Sequence, residues 1–221
     1  MYDEILLVLL PVATYWFTCT SFHLLGLDDP HIGKNNVSSS HIVSRVLSIH
    51  GLQCISLYSV VQGYSVPMVV WGWSMYSLIF GIVLMDTIEY FNHLLYHRVP
   101  LLYAYTHKTH HELKIPVSFG ALYNCYSDVV FSGGIIFMCF YLIGFTFEEL
   151  LYTISISNVA TIMDHTNYFD QVWWWGNGGF HRHHHEKDIH TNFSQPFFRI
   201  WDRIFGTYYT EDDRQRIDTG K

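Results

Sequence analysis

Charge is what this chain has least of. Only 14% of its 221 residues are Asp, Glu, Lys or Arg, while half are apolar; ordinary soluble domains carry roughly 25% charged residues. The deficit makes lipid part of the solvent. No charged residue stands between Arg45 and Asp86, or from Val129 to Phe147. Positive charge is scarcer still, with 12 Lys and Arg against 19 Asp and Glu and a net charge of −7, so a nucleic-acid partner has no electrostatic support. Four cysteines (Cys19, Cys54, Cys125, Cys139) lie far apart with no CxxC pair. They exclude a disulfide framework and read as buried thiols in a reducing compartment or in membrane. Internal repeats and low-complexity linkers are absent. So is an HExxH helix, which together with the apolar runs argues against a soluble zinc hydrolase. A cleavable signal is not expected, because Asp3 and Glu4 stand where such a signal carries positive charge.

What is present is a set of long apolar runs. The run from Ile5 to Leu27 is long enough to cross ~30 Å of hydrocarbon at ~1.5 Å per residue, with Pro11 as the place for a bend. A polar loop at 28–41 has a helix-start signal at Ser38–Ser40. Val46–Val61 is moderately apolar, 62–67 reads as a turn, and Pro67–Met85 is the clearest span. Val129–Phe147 is another. Leu150–Met163, following Glu148 and Glu149, is short for a crossing and is expected to be re-entrant, the second arm of a helical hairpin. The expected fold is an all-α integral membrane protein of one domain, residues 1–221, with about four transmembrane or re-entrant helices. Segments 86–116 and 164–221 hold most of the acids, bases and histidines and must build a polar helical cap. Most Lys and Arg fall in the same segments, which places the cap on the cytosolic side.

Histidine decides what the cap does. Eleven of the 15 histidines lie at or beyond His93, in boxes of fixed spacing. "HLLYH" places His93 and His97 on one helical face, with Asp86 and Glu89 one or two turns earlier. "HKTHH" (His107, His110, His111) and "HRHHH" (His181, His184, His185) each give i, i+3, i+4 imidazoles, followed by Glu112 and Glu186. His165 stands at the end of the last apolar run, after Asp164. Neutral imidazole is the commonest side-chain metal ligand, and carboxylates at Asp86, Glu89, Glu112, Asp164, Glu186 and Asp188 are expected to hydrogen-bond the far ring nitrogens. A catalytic zinc site takes about three protein ligands and a structural one about four. Nine imidazoles are too many for one ion and suit two. Redox metals near a membrane suggest oxygen activation on an apolar substrate. Iron is the natural candidate, although imidazoles alone do not exclude zinc, notably in a purified sample. His183 and His190 read as peripheral, and His23, His31, His41 and His50 as structural.

The boxes resemble those of the fatty acid hydroxylase superfamily of membrane di-iron oxygenases and desaturases, and within it the sphingolipid C4-hydroxylases. "DTIEYFNHLLYH" at 86–97, "LYAYTHKTHHELKIPVSFGALYN" at 102–124, "TIMDHTNY" at 161–168 and "NFSQPFFRIWDRIFGTY" at 192–208 carry the resemblance. It implies two iron ions, O2 as oxidant, and electrons from NAD(P)H through cytochrome b5. The implied substrate is a membrane lipid, sphinganine or dihydroceramide hydroxylated at C4, and the implied place is the endoplasmic reticulum membrane in a eukaryote. The chain departs from the pattern at His183, where an aliphatic residue is usual, around 186–191, which is about one residue short, and at His165, where fatty acid 2-hydroxylases carry a histidine pair. A tenth ligand is left to water or another side chain. Trp175, in "WWWGNGGF", is an interfacial or substrate-gating candidate; Asn192 and Gln195 are candidates for the lipid headgroup. Arg199, Arg203, Arg214 and Arg216 read as a solvated face or a contact for anionic headgroups. Rival readings are a sister reaction (desaturation, sterol methyl oxidation, hydroxylation elsewhere) and a non-catalytic metal-binding or transport protein. Transport normally needs ionisable groups at mid-membrane, which the uncharged spans lack.

Overall fold

The computed structural model describes residues 2–28, 35–63, 75–166 and 178–209. His31, Trp175, Arg214, Arg216 and the first residues of the expected Pro67–Met85 span lie outside these. The described residues form helices and turns with no strand. The longer helices are α1 (Tyr2–Leu24), α2 (Ser39–Gly63), α3 (Met75–Arg98), α4 (Tyr126–Ile143), α5 (Phe147–Asp164), α6 (Gly178–Glu186) and α7 (Ile200–Phe205). Among the described residues three stretches are long and apolar enough to cross a membrane: Ile5–Leu24, Met75–Arg98 and Tyr126–Ile143. α1 runs on through Pro11 as one helix. The four cysteines are free thiols, buried or half-buried, as their spacing implied.

The two arms of the expected hairpin are α4 and α5, consecutive helices joined by a short turn. α4 stops at Gly144, whose φ of 92° is left-handed and favours a residue without Cβ. α5 then starts with a reciprocal cap: the Thr146 hydroxyl accepts the Glu149 N–H at 3.2 Å, and Glu149 accepts the Thr146 N–H at 2.9 Å. Glu148 and Glu149 are therefore the first turn of α5 and not an interruption before it. At 18 residues the helix is about 27 Å long, longer than the apolar run alone suggested.

α5 is the inner helix. It packs most extensively on α1 and also on α3, and it buries Thr153, Ser155, Ser157 and Asn158. Three of these polar groups are satisfied, while the Ser157 hydroxyl is buried without a partner. Thr153 and Ser155 donate to the carbonyls of Glu149 and Leu151 at 2.8 and 2.7 Å, and Asn158 donates to Pro11 at 3.0 Å. Two apolar clusters flank α5. One joins Tyr15, Ile42, Val46, Leu113, Tyr123 and Ile162; the other joins Met85, Ile88, Phe140, Phe145 and Leu150. The first pins the loop at 113–123, and Asn35 adds a two-bond clasp to Ile115 at 2.8 and 2.9 Å. The C-terminal ends of α3 and α5 meet at the same end of the bundle, where the histidines are.

Gly81 is the closest point between α3 and α5. A Cβ there would stand 2.7 Å from the Thr153 hydroxyl and 3.2 Å from Phe145, and Thr153 is fully buried with its hydroxyl committed. Gly81→Val is expected to cost about 1–3 kcal/mol through overpacking, read as a lowered melting temperature in detergent. Gly51→Ala, with open space around it, is expected to hold or raise stability.

Candidate metal centre

Each histidine box reaches the centre on a different kind of backbone. His93 and His97 sit on the last turns of α3, and His181, His184 and His185 on α6. The middle box is not α-helical as its spacing suggested. Tyr103–His107 is a π turn, closed by the Lys108 N–H on the Tyr103 carbonyl at 2.8 Å, and His110–Glu112 is a 3-10 turn. His165 caps the end of α5.

Nine imidazoles converge, in two groups. His93, His97, His107, His111 and His184 form one, and His110, His165, His181 and His185 the other. Within each group the ligand atoms lie within 4.8 Å of one another. Each triplet is divided: its i, i+4 pair goes to one group and its third histidine to the other. His110 and His111 are thus neighbours in sequence with rings at 89°, and His184 and His185 likewise at 86°. The groups adjoin, since the His111 and His185 rings stand 4.6 Å apart.

The nitrogen spacings fit metal coordination. The Nε2 atoms of His97, His111 and His184 are mutually 3.1–3.2 Å apart. That of His185 is 3.1 Å from His110 and 3.0 Å from His181. Two nitrogens bound at right angles ~2.1 Å from one ion would stand about 3.0 Å apart. Four rings have their outer nitrogen committed to a main-chain carbonyl: His93 to Phe193 at 2.9 Å, His165 to Thr161 at 2.7 Å, His184 to Thr191 at 2.6 Å and His185 to Leu113 at 2.7 Å. A carbonyl only accepts, so Nδ1 carries the proton and Nε2 presents a lone pair inward. The lone pairs of His184 and His185 thus face neighbouring Nε2 atoms at 3.0–3.2 Å, a geometry that a shared metal ion would satisfy. The Nε2 atoms of His93, His107 and His165 are buried without any partner. Burial holds His107, His110, His111, His181, His184 and His185 well below the ordinary imidazole pKa, with neighbouring imidazoles adding to it, and holds His165 at about 4. All are neutral donors at neutral pH.

The carboxylates expected behind the ligands are elsewhere. Asp86 accepts the N–H groups of Phe197 and Phe198 at 2.8 and 3.1 Å and the Trp201 indole at 3.0 Å. Glu112 accepts the Tyr123 hydroxyl at 3.0 Å, Glu186 pairs with Arg182 at 2.9 Å near the surface, and Asp188 caps the His190 N–H. Asp164 is buried beside His165 with no hydrogen bond to its carboxylate, and Glu89 faces a cavity. Carbonyls displaced these acids because the turns carrying the ligands bring main chain directly behind the rings.

Asn192 is likewise structural. It has a φ of 61° and is buried, and its side chain exchanges bonds with Tyr209 at 2.8 and 3.1 Å. Gln195 does line the cavity. Arg199 is buried against Phe180 rather than on a solvated face, while Arg203 is exposed. His183 stacks on Tyr209, His190 is exposed, and His50 is buried as the acceptor of the Trp16 indole. Two contributors, Asp202 and Thr207, escaped sequence reasoning, while Tyr90 stood on the ligand-bearing stripe of α3. Asp202 accepts the N–H groups of Phe193 and Ser194 at 2.9 and 2.6 Å and the Thr207 hydroxyl, and Tyr90 bonds Thr207 at 3.0 Å. An acid inside the apolar "IWDRIF", just before Gly206, was the only available signal.

A cavity of about 360 Å³ reaches the centre, with His93, His107 and His110 in its lining. Most of its wall is apolar, with Val8, Leu57, Ile136, Phe137 and Ile154 among the lining.

A family model for fatty acid hydroxylases matches residues 78–207. Sphinganine C4-monooxygenase 2 of Arabidopsis thaliana is 30% identical over 248 residues, covering 99% of this chain and 93% of that protein. Sphingolipid C4-hydroxylase of Saccharomyces cerevisiae is 27% identical over 262 residues, covering 95% and 73%. A very-long-chain aldehyde decarbonylase of Oryza sativa subsp. indica is 28% identical over 236 residues, covering 93% and 89%. No solved structure matches the chain.

The two-group arrangement makes a quantitative expectation. His185→Ala, which leaves three ligands in the group of four, should lower bound metal per chain more than His184→Ala, which leaves four in the group of five, measured by elemental analysis of purified protein. Glu186→Ala should leave it unchanged, because Glu186 serves Arg182.

Proposed function

Since the chain belongs to the fatty acid hydroxylase family, a family of membrane oxidoreductases, we propose that it hydroxylates C4 of a long-chain sphingoid lipid at a centre of two iron ions, with residues 1–221 acting as one catalytic domain. The observation that carries this reading is the mainly apolar cavity whose lining includes His93, His107 and His110, suited to seat a lipid chain beside the nine-imidazole centre. The relatives named for C4 hydroxylation match along nearly the whole chain. Iron bound by these imidazoles supplies the means to activate O2 for insertion into an unactivated C–H bond. In the balanced reaction one C–H bond and O2 take two electrons and two protons, giving one C–O–H and one water. The electrons are proposed to come from NAD(P)H through a separate cytochrome b5-type donor.

The chain's own residues do the rest. His93, His97, His107, His111 and His184 hold one ion, and His110, His165, His181 and His185 the other. The cavity wall fixes which carbon faces the centre and keeps bulk water away. Burial keeps the ligand set neutral and able to bind metal throughout the physiological range. The basic residues Arg98, Lys108, Lys114, Arg182 and Lys187 stand in the segments that carry the ligands. By the positive-inside tendency this supports a cytosol-facing centre, in the endoplasmic reticulum membrane of a eukaryotic cell.

Expression in cells lacking 4-hydroxylated sphingoid bases, followed by lipid analysis, tests the reading. The 4-hydroxy product should appear, and His110→Ala and His184→Ala should abolish it. Unchanged product in both variants would remove these ligands from the mechanism. Consumption of a long-chain aldehyde in place of the sphingoid base would move the chain to the chemistry named for its rice relative.

A further inference from the structure

The cavity is not apolar throughout. Glu89, Tyr96, Asn124 and Asp128 line it beside the imidazoles. Glu89, His93 and Tyr96 stand on one face of α3, at i, i+4 and i+7, and the Tyr96 ring lies 5.6 Å from that of His107. Asp128 opens α4 opposite them, and Glu89 and Asp128 are close enough to act on each other's charge.

These groups have unmet bonding capacity. The Tyr96 hydroxyl, in a residue only 4% exposed, has Asp128 and Ser132 beside it, and Asn124 Oδ1 faces His110, but none of these contacts is a well-formed hydrogen bond. Asn124 Nδ2 donates to Asp128 Oδ2 at 3.0 Å, which leaves Asp128 Oδ1 open. Among the described residues lining the cavity there are two acids and no Lys or Arg. Two carboxylates facing apolar surroundings without a counter-cation are costly. A ligand bringing positive charge and hydroxyl groups would satisfy them all. Neither a metal ion nor an anion explains the set, because the metal-type nitrogens lie in the two imidazole groups and no cationic side chain is present.

Resting on the hydroxylase reading, we propose that Glu89 and Asp128, with Tyr96 and Asn124, bind the protonated amine and hydroxyls of a free long-chain amino alcohol. The enzyme then acts on the free base in preference to its N-acylated form. The reach agrees, because the carbon to be oxidised lies two bonds from the amine-bearing carbon and the polar cluster directly flanks His93 and His107. The volume agrees as well. About 360 Å³ is near the lower end of the ~300–1,000 Å³ usual for ligand sites and suits one aliphatic chain rather than two. An amide removes the charge and adds the second chain.

The test offers sphinganine and N-acetylsphinganine, identical in main chain and hydroxyls, to the full-length metal-loaded protein in detergent or vesicles. For the wild type, kcat/KM for the free amine should exceed that for the amide at least tenfold. Glu89→Gln and Asp128→Asn should each lower this ratio about tenfold or more, chiefly through KM for the amine, as expected for loss of a charged hydrogen bond, with metal per chain unchanged. Equal or faster turnover of the amide by the wild type would overturn the proposal, as would a ratio unmoved in both variants. The wild-type ratio decides alone if the variants fail to accumulate. Hydroxylation of neither substrate would instead defeat the reading on which the proposal rests.

Discussion

The centre depends on hydrogen bonds made by the outer nitrogens of its histidines. An imidazole can present either nitrogen, and a site of nine rings without fixed tautomers would have many competing arrangements. Donation of Nδ1–H from His93, His165, His184 and His185 to carbonyls removes that freedom at four of the nine rings. It turns their Nε2 lone pairs inward in a buried volume, a geometry that metal binding would satisfy.

Those carbonyls have to be held, and much of the polar structure outside the centre does so. Phe193 and Thr191 lie in an irregular segment between α6 and α7, which is fastened twice to the rest of the protein. Asp202 gathers Phe193, Ser194 and Thr207, and Thr207 continues to Tyr90 on α3. Asp86, also on α3, takes the next main-chain groups at Phe197 and Phe198. α3 thus supplies both metal-facing rings and the anchors for the loop behind them. On the other side, Asn35 and the Tyr15 cluster fix the loop whose Leu113 carbonyl orients His185.

Sequence reasoning reached the helical class and all nine converging imidazoles. Hydrophobic runs and i, i+4 spacing are local properties that survive folding. The same reasoning placed the middle box on an α-helix. The π turn at Tyr103–His107 and the 3-10 turn at His110–Glu112 could not be read from it, because their geometry is set by packing against α3 and α4. Acids were assigned as partners of the rings since carboxylates are visible in a sequence. The actual partners are carbonyls, which every residue possesses and none advertises. Asp86, expected to support the ligand rings, instead gives its acceptor oxygens to the loop at 197–201.

The sequence by itself determined that this is a helical membrane protein with a histidine-based metal centre, since periodicity and composition dictate which faces meet lipid and which residues can ligate. Only the tertiary structure decided how nine rings divide into five and four, and which cavity and polar groups lie beside them. Those outcomes depend on the relative placement of α3, α4, α5 and α6, brought together from distant parts of the chain. Local sequence specifies each helix, whereas the angle and register between helices come from side chains that meet only after the chain has closed.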